Sequence, residues 1–97
     1  MNSKAAAQRV QIVNEKGLHA RPSAAISRLA GRYQSKISLE CDGITANARS
    51  IMDLLMLIAH RGSDIVIRAE GDDAEEAVTA LASMIADGFG EDDEPRP

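Results

Sequence analysis

His19 and Arg21 are the residues of this chain whose types and spacing could do chemistry. A neutral imidazole carries a lone pair able to attack phosphorus. A guanidinium nearby can lie against phosphate oxygens. Phosphoryl transfer asks little covalent work of a protein; it needs positioning and neutralised charge on the equatorial oxygens. The pair therefore fits a transient phosphohistidine, provided that the chain holds it where an anion is welcome. Position alone does not establish this function, because an inert surface or capping histidine is the commoner occupant of such a place.

The surrounding elements supply such a place. Upstream, Val10 and Ile12 alternate with Arg9 and Gln11, the period of a strand with one buried face. Asn14-Glu15-Lys16-Gly17 reads as a turn, with Gly17 at positive φ. A helix is expected over about 20–31, because Pro22 is tolerated only in a first turn. Ala25, Ile26, Leu29 and Ala30 form its inward stripe. His19 then lies at the helix mouth, where unpaired N–H groups and partial positive charge hold an anion without a pocket.

Downstream, residues 36–41 alternate with Ile37, Leu39 and Cys41 on one face, and Asp42-Gly43 signals a hairpin into a short strand over 44–48. Ser50 and Asp53 read as a capping box opening a short helix to about residue 59. A strand over 64–70 follows, with Ile65, Ile67 and Ala69 on one face. The last helix starts after Gly71-Asp72, with Asp72 and Glu75 as candidate caps, and ends at Gly88. The order β-α-β-β-α-β-α predicts an α+β fold. It is a two-layer open-faced sandwich, with a four-stranded, mostly antiparallel sheet covered on one face by three helices. Residues 1–7 are expected to be a flexible N-terminus, 8–89 the domain, and 90–97 a disordered acidic tail.

Composition narrows the function classes. The 97 residues suffice for one domain with a modest core, so chemistry belongs on the surface rather than in a deep pocket. A formal charge of −4 and no basic run argue against nucleic acid as a partner. The apolar stretch 51–59 is too short to span a bilayer, and the first residues lack the apolar core of a secretory signal. A cytoplasmic monomer without metal or cofactor is the expectation. The single cysteine, Cys41, excludes an internal disulfide and reads as a buried strand residue. His60 reads as a helix-end residue.

Two motifs sharpen the reading. Gly17-Leu18-His19-Ala20-Arg21-Pro22 resembles the active-site signature of the HPr family of phosphocarriers, and Asn47-Ala48-Arg49-Ser50-Ile51-Met52 resembles its second signature, around a regulatory serine. Their separation and the order of elements agree with the family, so the resemblance covers about residues 8–89. It implies that His19 carries a phosphoryl group on Nδ1, that Arg21 stabilises it, and that amides opening the first helix cap it. It further implies an Enzyme I-type donor, charged from phosphoenolpyruvate, and an Enzyme IIA-type acceptor. Ser50 would be phosphorylated by an HPr kinase/phosphorylase, besides its local role as helix N-cap.

Residues 51–59 hold more Ile, Leu and Met than one buried face of a short helix needs. Ile51, Met52, Leu55 and Met56, beside Ala20 and Ala24, are therefore expected to form a partner-binding surface, with Ile51, Met52 and Met56 outermost. Asp53 departs from sugar-transport members of the family, which often carry a lysine there. The runs Leu54-Leu55-Met56-Leu57 and Asp87-Gly88-Phe89-Gly90-Glu91-Asp92 resemble the nitrogen-related, regulatory branch instead. Two other classes compete with a phosphocarrier. One is a binding module controlled by Ser50, against which His19 and Arg21 count. The other is a small hydrolase, which lacks a general base, metal site or pocket.

Overall fold

The computed structural model describes residues 4–91. The elements run β1 (Ala5–Gln11), α1 (Ala20–Ala30), β2 (Lys36–Cys41), β3 (Ile44–Asn47), α2 (Ile51–Met56), β4 (Asp64–Glu70) and α3 (Ala74–Ala86), followed by a 3₁₀ turn at Gly88–Gly90. The strands form one sheet in the order β1-β4-β2-β3, with every neighbouring pair antiparallel. The expected α+β order is borne out.

The alternation in β2 and β4 explains the two layers. Ile37, Leu39, Cys41, Ile65, Ile67 and Ala69 point inward and are buried. Between them stand exposed or half-exposed residues, polar except for Val66, and Arg68 pairs with Glu40 across the two strands on the open face. Ile26 and Ala30 of α1, Leu54 of α2, and Ala77, Val78, Leu81 and Ile85 of α3 close the core from the helical side. Ala25 and Leu29 of the expected stripe are half-buried, while Pro22 and Ser23 are fully inside.

Several boundaries differ from expectation. β1 begins at Ala5, so residues 5–7 belong to the sheet rather than to a flexible N-terminus; Ala5, Ala6 and Ala7 pair with Glu70, Ala69 and Arg68. Small side chains hid the strand because they give no polar–apolar alternation. α2 ends at Met56, not near residue 59, because Ile58 turns left-handed with φ 50°. His60 consequently lies beyond the helix in a turn, where its N–H donates to Ser63 Oγ. Half of the capping box forms: Asp53 N–H donates to Ser50 Oγ at 3.1 Å. The Asp53 carboxylate accepts from Asn47 N–H instead of Ser50 N–H.

Neither Asp72 nor Glu75 caps α3; Asp73 is its N-cap residue. The Asp73 carboxylate turns to the start of β2 and accepts from the Gln34 and Ser35 amides, both at 2.9 Å, and from the buried Ser35 hydroxyl. These bonds hold its carboxyl below the ordinary value, the Ser35 hydroxyl foremost. Their stabilising effect is complete above about pH 4 and fades as pH falls through the lowered native value. Asp73→Asn should melt at lower temperature than the parent protein at pH 7. The gap should narrow in strong acid, as thermal melts followed by circular dichroism across pH will show.

Candidate functional site

The site is built on the loop between β1 and α1. Asn14 is fully buried and closes this loop on itself: its Nδ2 donates to Gly17 O at 2.9 Å, and Gly17 N–H returns to Asn14 O at 3.2 Å. Leu18 then buries its side chain and donates its N–H to Ala59 O at 3.0 Å. This docks the loop onto the segment that leaves α2. The approach is close enough to exclude a side chain at position 17. A Cβ there would fall 2.6 Å from Ala59 O and 2.7 Å from His60 Cα. Gly17 also takes φ 67°, the left-handed conformation expected of it.

His19 follows as the N-cap residue of α1, with extended backbone angles and its carbonyl accepting from Ser23 N–H at 3.1 Å. No side chain caps the helix. The amides of Ala20 and Arg21 therefore open the helix without an intrahelical acceptor, and Pro22 has none to offer. The His19 side chain is 34% exposed. Its Nε2 lies 3.0 Å from Oε2 and 3.3 Å from Oε1 of Glu91. Glu91 Oε1 also accepts from Asn14 Nδ2 at 3.0 Å. Nδ1 of His19 has no hydrogen-bond partner among the described residues. Arg21 is exposed, two residues further along the first turn of α1.

Glu91 is the residue that sequence reasoning missed. Gly90 and Glu91 fall within the expected disordered acidic tail, 90–97, yet they fold back onto the site; residues 92–97 lie outside the described residues. The return uses Gly88, Phe89 and Gly90, all at positive φ. A Gly-X-Gly run after a helix is a sequence sign of a sharp reversal. Nothing local reveals where the reversal leads.

The surface beside the site matches its expected exposure. Ile51, Met52 and Met56 are exposed, Leu55 is half-buried, Ala20 is exposed and Ala24 is half-buried. Ile58 was not among the expected residues. At 77% it is more exposed than Met52 at 71% or Met56 at 66%, and it adds to the exposed apolar side chains of this segment. Ser50 lies half-buried at the start of α2. The preceding Arg49 ties this helix start to α1, its carbonyl accepting from Ser27 Oγ at 2.8 Å. Cys41 is buried, and burial pushes its thiol up, as befits an inert core residue. No group of side chains fit to hold a metal occurs among the described residues, nor any helix long and apolar enough to cross a membrane.

A histidine at a helix mouth, two residues from an exposed arginine and with exposed apolar side chains on the neighbouring helix, is an arrangement suited to a surface carrier. The family model for the HPr component phosphorylation site of the phosphotransferase system (PTS) matches residues 6–87, and the chain belongs to that family. It is thus an HPr-type phosphocarrier of the phosphotransferase system. It is 42% identical over 80 residues to phosphocarrier protein HPr of Cupriavidus necator, covering 82% of this chain and 90% of that protein. It is 40% identical over 86 residues to phosphocarrier protein NPr of Proteus mirabilis, covering 88% and 96%. The crystal structure of HPr-C-His from Thermoanaerobacter tengcongensis superposes with a TM-score of 0.85 at 41% identity, covering 89% of this chain and 97% of that one.

The contact at Gly17 is open to test. Gly17→Ala should lower stability by about 2–3 kcal/mol in urea titration, since it adds a left-handed Cβ and a clash with backbone. Its folded fraction should accept phosphate more slowly, because the His19 loop must shift to fit.

Proposed function

We propose that His19 accepts the phosphoryl group on Nδ1 from an Enzyme I-type phosphohistidine and passes it to an Enzyme IIA-type acceptor. The observation that carries this reading is the division of labour on the imidazole. Nε2 is engaged by Glu91, and Nδ1 is unpartnered at the mouth of α1. In the forward step, the Nδ1 lone pair forms a bond to phosphorus as the donor's N–P bond breaks and its electron pair returns to the donor ring. Arg21 swings over the transferred oxygens, and the Ala20 and Arg21 amides meet them from below. Onward transfer reverses the bond changes at Nδ1, so the carrier ends each cycle as it began.

Ala20, Ala24, Ile51, Met52, Leu55 and Met56 serve as the partner-binding surface in this reading. Their exposed members form an apolar area beside the transferable group. Flexible methionines let one surface accept a donor and an acceptor in turn. The carrier works as a cytoplasmic monomer, binds no cofactor or nucleic acid, and approaches no membrane by itself.

The nitrogen-related branch is the reading we favour over a sugar-transport role. Asp53 is exposed in the first turn of α2 and puts negative charge on the docking side. That charge repels the acidic partners which a lysine would attract. A second reading makes the chain a regulatory module switched by an HPr kinase at Ser50. Half-burial of Ser50 at a helix start leaves room for a phosphate, and about two added negative charges would block an apolar dock without unfolding the domain.

Incubation with Enzyme I homologues of both branches and labelled phosphoenolpyruvate tests the assignment. Acid-labile label should appear, vanish in His19→Gln, and form roughly a hundredfold more slowly in Arg21→Ala. Label that survives His19→Gln overturns the reading. Faster charging and discharge with the sugar-type partners overturns the choice of branch.

A further inference from the structure

Glu91 marks Nδ1 as the free nitrogen, but in the transfer described so far it has no part of its own. We propose that Glu91 is a positioning residue for phosphoryl transfer. Its carboxylate holds the Nε2–H tautomer of His19 and turns Nδ1 toward the donor. The proposal rests on His19 being the phosphoacceptor and adds a residue to that same site.

The geometry of the carboxylate carries the argument. Oε2 stands 3.0 Å and Oε1 3.3 Å from Nε2, so both oxygens face one ring nitrogen. A carboxylate only accepts, so Nε2 must be the nitrogen that bears hydrogen. In a neutral imidazole this leaves the lone pair on Nδ1. The Glu91 side chain is only 11% exposed, so solvent does not compete freely for its oxygens.

Glu91 is itself held. Asn14 Nδ2 donates both to Glu91 Oε1 at 3.0 Å and to Gly17 O at 2.9 Å. Rotating that amide by half a turn would set an oxygen against two acceptors, so its orientation is fixed. Asn14 is buried, and its Oδ1 has no partner among the described residues. The fold thus leaves one buried acceptor unmet while serving both acceptors at Nδ2. One rigid amide therefore ties the turn that carries His19 to the carboxylate that orients it. The pair spans 72 positions of sequence and exists only because the chain reverses through Gly88–Gly90.

The same contact bears on the charge formed during transfer. When Nδ1 bonds phosphorus, the ring retains its Nε2 hydrogen and becomes a phospho-imidazolium. Its positive charge then faces the Glu91 carboxylate. When the Nδ1–P bond breaks to an acceptor, the electron pair returns to Nδ1 and the ring is neutral again, still carrying hydrogen on Nε2. No proton need be exchanged with solvent in either step.

Nitrogen-15 spectra of imidazole-labelled protein and charging by an Enzyme I-type donor together test the proposal. In the parent protein the His19 ring should show the Nε2–H tautomer. Glu91→Gln keeps an acceptor and should retain that signature. Glu91→Ala should lose it, giving averaged nitrogen shifts, and should accept phosphate more slowly by up to about a hundredfold. Glu91→Gln should fall between the two in rate, since it orients the ring without compensating its charge. Unchanged tautomer and rate in Glu91→Ala, with His19 labelled normally, overturns the role of Glu91 alone. Failure of the parent protein to label at His19 overturns the phosphoacceptor reading, and this inference falls with it.

Discussion

The placement of His19 depends on one backbone contact, the docking of Leu18 N–H on Ala59 O. Around it, Gly17 packs against Ala59 and His60 with no room for a Cβ. The contact joins the loop that carries the imidazole to the segment that leaves α2. It requires a carbonyl turned toward the loop, and the left-handed Ile58 makes that turn one residue earlier. A β-branched residue with positive φ is disfavoured by about 1–2 kcal/mol. Loop docking offsets that cost: a buried N–H is satisfied and the Leu18 side chain joins the core. The same turn leaves the Ile58 side chain in solvent, two residues beyond Met56.

A second restraint acts from the other end of the chain. α3 is anchored by an apolar face against β1 and β4, and the three positive-φ residues after it bring Glu91 back to the site. Asn14 is where the two restraints meet, because its amide bonds the loop on one side and Glu91 on the other. A domain of this size has little room to enclose a substrate, and here a surface side chain is fastened at several points instead. The imidazole is fastened by its own backbone, by α1 and by the returning segment that ends in Glu91.

An open site suits a carrier. The phosphoryl group must be reached by a donor and then by an acceptor, so it has to stand on a convex surface with a docking area beside it. Apolar side chains in solvent are a liability that a purely structural helix would avoid. α2 exposes Ile51, Met52 and Met56 while burying Leu54. Its brevity helps, since six residues give too few turns to bury more than a narrow stripe.

Much of this was legible from sequence. The alternation in β2 and β4, the Asp42-Gly43 hairpin and Pro22 in a first turn fixed the element order, because each reflects local dihedral preference or a local period. His19 at a helix mouth and Gly17 at positive φ followed from the same rules. The excess of apolar residues over 51–59 foretold an exposed patch. What tertiary structure decided was everything that depends on partners distant in the chain. Ala5–Ala7 became strand because β4 offered them a ladder, although three alanines carry no period. Asp73, not Asp72, stands at the N-cap of α3 with its carboxylate turned to Ser35, and α2 stopped early because Ile58 reversed to meet the loop. Glu91 reached His19 across most of the chain, and neither residue bears any mark of the other. Local sequence sets which conformations are cheap, but contact between remote segments is settled only when the whole core packs and one arrangement satisfies its buried groups.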